Sequence, residues 1–89
     1  MIVKFFASIR EYAGVRETTA GPCTDIRQLL QVLCSRYGTR FRGMVFQNGE
    51  LSKDVIIMLN GRHIEHIKGL DTELREDDVI SIFPRVAGG

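Results

Sequence analysis

The sequence contains no tryptophan, two prolines and two cysteines, and no apolar run near the ~20 residues that cross a bilayer. A membrane-spanning helix is therefore not expected. Cys23 and Cys34 have no CxxC spacing, and two thiols with two scattered histidines make neither a zinc set nor a disulfide framework. This predicts reduced thiols, a cytoplasmic chain and no bound metal. Charge of one sign is also missing: 12 Lys and Arg stand against 11 Asp and Glu, for a net charge of +1. With no basic cluster to track phosphates, no nucleic-acid partner is expected. The opening "MIVKFFASIRE" is interrupted by Lys4 and followed by charge, which does not fit a secretory signal. No Ser-His-Asp, Cys-His or paired-carboxylate constellation stands out, so the chain alone is expected to catalyse nothing.

What is present is enough for one domain. Eighty-nine residues, 44% of them hydrophobic, bury about 60% of the unfolded chain's surface on folding. "IVKFFA" reads as a strand, and because Lys4 does not suit a core, period 2 puts Val3, Phe5 and Ala7 on one face. Ile2, Lys4 and Phe6 take the other. "SIREYAG" reads as a turn-like connection ended by Gly14, leading to a polar strand "VRETTA" that closes a first hairpin.

Thr24 and Asp25 supply helix-start chemistry, and Ile26, Leu29, Leu30, Leu33, Cys34 and Tyr37 then recur at helical spacing until Gly38. This predicts one amphipathic helix laid on a sheet. "RFRGMVF" is ambiguous, and "QNGELSKD" reads as a turn-rich loop. "VIIMLNG" reads as a central strand, residues 62–67 as a short strand before an acidic connection, and "VISIFP" as the last strand. Ser81 sets the phase of that last strand, with Phe83 beside it and Ile80 and Ile82 opposite. The expected class is α+β: a mixed sheet of four to five strands with one main helix on one face. Phe6 and Phe83 then lie on the face that the core leaves free.

The order of elements, "FFA", Asn60-Gly61 and above all "FPRVAGG" resemble the MoaD/ThiS family of ubiquitin-like β-grasp sulfur carriers, over essentially the whole sequence. The Phe-Pro-x-Val-x-Gly-Gly pattern is most similar to the small subunit of molybdopterin synthase. The resemblance implies a β-grasp domain over residues 1–84 and a flexible tail over 85–89. It implies that a ubiquitin-activating-like enzyme consumes ATP to adenylate Gly89, that sulfur converts the adenylate to a thiocarboxylate, and that a separate large catalytic subunit passes the sulfur to a pyranopterin precursor. No permanently bound cofactor is implied. Pro84, Arg85, Val86, Ala87 and Gly88 would thread the partner's channel, Phe6 and Phe83 would dock it, and glycines suit the role because no Cβ blocks a narrow passage. Two other uses share this chemistry: a protein modifier joined to lysines through Gly89, and a sulfur carrier for tRNA thiolation, a tungsten cofactor or an amino acid. Arg85 stands where the family most often has a second proline. Glu76-Asp77-Asp78 replaces a common Asp-Gly-Asp, which Asp77 tolerates if its φ is positive.

Other residues keep more than one reading. Phe6 and Phe83 form either an exposed patch or satellite core under a loop such as 39–50. Cys34 is core filler or a sulfur relay, and Cys23 is a bystander or, near a helix N-terminus, a thiol of lowered pKa. His63 and His66 flank Glu65 in the short strand and are expected on one face, as a metal pair, a partner contact or solvated groups. The acidic stretch Asp71, Glu73, Glu76, Asp77 and Asp78 is a solvated connection or a complement to a basic rim.

Overall fold

The computed structural model describes residues 1–85. Strand β1 (Ile2–Phe5) alternates as its sequence requires, with Val3 and Phe5 fully buried and Ile2 and Lys4 exposed. It ends earlier than "IVKFFA" suggests. Ala7, expected on the core side, is exposed at a left-handed φ of +49° and turns the chain into helix α1 (Ile9–Ala13). That helix replaces the expected plain turn; it buries Ile9 and Ala13 and stops at Gly14, whose φ is +78°. Strand β2 (Glu17–Thr19) then pairs antiparallel with β1, so the first hairpin forms around a helical insert.

Helix α2 (Ile26–Tyr37) occupies the predicted span. Of the two helix-start residues, Asp25 is the cap, its carboxylate accepting the Gln28 N–H at 2.9 Å, while Thr24 donates its own N–H to Gln28 Oε1 at 2.6 Å. Leu29, Leu30 and Leu33 are fully buried, each contributing about 1.5–3 kcal/mol of transfer free energy. Gly38 closes α2 and opens α3 (Thr39–Val45) at φ +94° and ψ −169°, a conformation almost confined to glycine. The ambiguous "RFRGMVF" is thus mostly helix. Phe41 and Val45 enter the core, and Phe41 and Tyr37 meet Phe5 at ring-centroid distances of 5.9 and 5.6 Å.

Asn48 and Gly49, both at positive φ, turn a small hairpin of β3 (Phe46–Gln47) and β4 (Glu50–Leu51) where a loop was expected. Strand β5 (Val55–Leu59) follows, and Asn60 and Gly61 turn it into β6 (Arg62–His63). The strand expected over residues 62–67 ends at His63 and gives way to 3-10 turns at Ile64–His66 and Gly69–Asp71. Strand β7 (Val79–Pro84) runs parallel to β1 and antiparallel to β5, giving the sheet order β2-β1-β7-β5-β6. The middle strand is therefore β7, with β5 beside it. Asp77 is not in the left-handed region; the turn closes through Asp78, which donates its N–H to Arg75 O and accepts the Arg75 N–H at its carboxylate.

The core lies between the sheet and the helices. Val3, Phe5, Val55, Ile57, Ile80 and Ile82 meet Ile26, Leu29, Leu30, Leu33, Phe41 and Val45 there. This is the ubiquitin-like β-grasp, an α+β fold with α2 as its main helix and α1 and α3 as shorter additions.

Candidate functional site

The residues opposite that core define the candidate site. Cross-strand register places Ile2 beside Val79, Lys4 and Met58 on either side of Ser81, and Ile56 beside Phe83. All point away from the helices, because their strand neighbours fill the core. At the end of this face Phe6 and Phe83 stack with centroids 4.3 Å apart and planes within 10°. The pair contributes about 0.5–1.5 kcal/mol beyond its buried area, and both rings remain half-buried rather than enclosed. Helix α3 lies with Phe5, on the far side of the sheet, so segment 39–45 does not cover them. Arg10 frames the pair: its Nε donates to Phe5 O at 2.8 Å, and its guanidinium carbon lies 5.8 Å from the Phe6 centroid.

Pro84 ends β7 opposite Val55. Arg85 follows, its N–H donating to Asp54 O at 2.7 Å and its Nε to Lys53 O at 2.8 Å, with Nη2 3.6 Å from Glu65 Oε1. Val86, Ala87, Gly88 and Gly89 lie outside the described residues. Pro84 and Arg85, the first residues of the segment expected to thread a partner, thus lie at the end of the middle strand, next to the stacked phenylalanines.

The remaining candidates separate by environment. Cys34 is buried, and burial pushes its thiol above the ordinary 9.0, with Arg42 pulling the other way. Cys23 is half-buried and also raised above 9.0, mainly by desolvation and also by Asp25, while the N-terminal ammonium pulls the other way. Of the two readings of Cys23, the thiol of lowered pKa is the one that fails: α2 begins three residues later, and desolvation outweighs any favourable field. His63 and His66 do meet, with ring centroids 5.7 Å apart, but a strand would have put them on opposite faces. The 3-10 turn brings i and i+3 together instead. His63 Nδ1 accepts the Glu65 N–H at 3.2 Å, and among the described residues no three His, Cys, Asp or Glu side chains converge. Also among the described residues, no helix is long and apolar enough to cross a membrane.

Alternation in the sequence placed Ile2 with Phe6 and Val79 with Phe83, as observed, and left Ile56 and Met58 unassigned. Ile56 and Met58 were legible in principle, since alternation along "VIIML" assigns them to the face of Ser81 and Phe83. The partners of Arg85 carry no sequence signal.

Comparison with known proteins agrees with the fold. Residues 3–89 match the ThiS family. A protein of Archaeoglobus fulgidus described as a sulfur carrier is 39% identical over 87 residues, covering 98% of this chain and 96% of that protein. The small archaeal modifier protein 1 of Methanosarcina acetivorans superposes with a TM-score of 0.86 at 33% identity, over 99% of this chain and 94% of that one. A Pyrococcus furiosus structure described as molybdopterin converting factor subunit 1 superposes with a TM-score of 0.73 at 34% identity, over 96% and 95% of the two chains. With a matching sequence and a matching β-grasp, the chain belongs to the ThiS family of ubiquitin-like sulfur carriers and modifiers.

Proposed function

We propose that this chain carries sulfur on Gly89 as the small subunit of molybdopterin synthase. The Gly89 carboxylate attacks the α-phosphate of ATP on a ubiquitin-activating-like enzyme, releasing pyrophosphate and forming an acyl-adenylate. A hydrosulfide-level donor then displaces AMP and leaves a thiocarboxylate. Without side chains, Gly88 and Gly89 leave the activated carbonyl open to that attack. A separate large catalytic subunit takes the tail and passes the sulfur to a pyranopterin precursor, while the Phe6 and Phe83 face docks the body of the carrier. No cofactor is held permanently. ATP and reduced thiols favour the cytoplasm as the setting.

The observation that carries this reading is that "FPRVAGG" issues from the middle strand of a β-grasp sheet beside an apolar sheet face. The similarity to the Pyrococcus converting factor supports the pyranopterin acceptor. The test is to incubate the chain with ATP, its activating enzyme and hydrosulfide, and to weigh the C-terminal peptide. One oxygen replaced by sulfur on Gly89 is expected, and a chain lacking Gly88 and Gly89 should fold normally yet carry nothing. Sulfur transfer by the truncated chain would refute the assignment.

A second reading has its own support in the likeness to the Methanosarcina modifier. There the same acyl-adenylate ends in an isopeptide bond to a lysine amine. Conjugates of high mass that require Gly89, formed in extract while the pyranopterin acceptor receives no sulfur, would favour it.

A further inference from the structure

We infer that Arg85 is a positioning residue that latches the root of the C-terminal segment to the body of the sheet, a role whose purpose rests on the carrier reading above. Pro84 lies opposite Val55 at a non-hydrogen-bonded pair, so its missing N–H costs the ladder between β7 and β5 nothing. Arg85 extends that ladder by one regular step beyond the strand, its N–H reaching Asp54 O at 2.7 Å. The side chain then turns back so that Nε donates to Lys53 O at 2.8 Å and Nη2 approaches Glu65 at 3.6 Å. One residue thus engages the start of β5 and the 3-10 turn after β6.

The surface that receives it is itself pinned. Ser52 is buried, its N–H donates to Val45 O at 2.8 Å, and its hydroxyl accepts the Asp54 N–H at 3.0 Å. The carbonyls of Lys53 and Asp54 are therefore held relative to α3 rather than carried on a loose loop. The ion pair with Glu65 is exposed on both sides, 46% and 59%, and adds little of its own. Direction comes from the two backbone carbonyls. Lysine cannot reproduce this, since its ammonium sits at the end of a flexible stem and it has no N–H at the guanidinium ε position.

Four residues follow Arg85, a reach of about 14 Å when extended. A fixed root gives that short arm a fixed starting direction, so less freedom is lost when a partner takes it. Arg85 on this view acts through geometry and not by touching the activated carbonyl. Proline at the same position would restrict the root by a different means, by fixing φ.

The experiment compares the wild-type chain with Arg85→Ala, Arg85→Lys and Arg85→Pro as substrates of the activating enzyme, by ATP–pyrophosphate exchange. Arg85→Ala and Arg85→Lys should raise KM for the carrier about tenfold with kcat within about twofold, and Arg85→Pro should return KM to within about threefold of wild type. An unchanged KM for Arg85→Ala, or an Arg85→Pro chain as poor as Arg85→Ala, overturns the latch, the latter because it means direct recognition of the guanidinium. Amide exchange, which needs no enzyme, decides the geometry separately. The Arg85 amide should be slowed in the wild type and released in Arg85→Ala with β5 and β7 unaffected; a wild-type Arg85 amide exchanging at the unfolded rate refutes it. Failure of the wild-type chain to be adenylated would count against the carrier reading, with amide exchange still judging the latch.

Discussion

Asn60 shows how much one side chain settles when it serves backbone and sheet together. Its φ of +50° suits asparagine better than most residues, and its N–H donates to Val79 O at 2.8 Å. Its side chain accepts the Val79 N–H at Oδ1 at 2.8 Å and donates to Asp78 Oδ1 from Nδ2 at 2.9 Å. The turn after β5 is thereby tied to the first residue of the strand that leads to the tail. Asn60→Ala should destabilise the fold by about 2 kcal/mol, combining left-handed strain with two lost side-chain bonds. Asn60→Gly should recover about 1 kcal/mol, because it relieves only the strain. Chemical denaturation of the three proteins measures both differences, and equal losses for Ala and Gly would show that φ does not matter there. The Asn-Gly pair was visible in the sequence as a turn. Its bonds to Asp78 and Val79 were not, since they join residues 18 and 19 positions apart.

The three helices differ in how plainly the sequence announces them, and the reason is length against burial. Helix α2 combines a capping Asp25, an apolar stripe over twelve residues and a terminal glycine, so local signals and tertiary packing agree. Helix α1 spans five residues, too few to establish a period. Helix α3 contains Gly43, Thr39 and Val45, which favour helix poorly, and exists because Phe41 and Val45 fill the space between α1, α2 and β1. Tertiary burial overrides propensity there. Gly38 is the hinge that permits the arrangement, since a helix continuing through it could not turn Phe41 back toward Phe5. Gly38→Ala should cost about 1–3 kcal/mol from its φ of +94° alone, as a Cβ there meets open space. Phe41→Ala should cost about 3–5 kcal/mol through lost burial and the cavity left beside Phe5 and Tyr37. Thermal unfolding ranks the two, and a smaller loss for Phe41→Ala would mean that α3 is peripheral to the core.

At the scale of the whole molecule, one sheet does two jobs by having two faces. The helix side holds the core, while the opposite side presents Ile2, Ile56, Met58, Val79 and the stacked Phe6 and Phe83 next to the root of the tail. Alternation along β1 and β7 made both phenylalanines legible as a shared face, whereas their stacking needed the parallel pairing of the first and last strands, which no local pattern encodes. On the carrier reading, a partner seated on this face would also meet the root of the tail at Arg85, so that docking and delivery would be one binding event. Under the proposed function, Phe83→Ser should weaken binding to the large subunit about 30-fold or more, as expected for an aromatic hot spot. The fold should survive, since Phe83 is only half-buried and Ile80 and Ile82 hold β7 to the core. Titration calorimetry of the variant with the large subunit, beside its unfolding curve, separates the two effects. Undiminished affinity in a folded Phe83→Ser chain would mean that the partner reads the tail alone, and the apolar face would then need a different occupant.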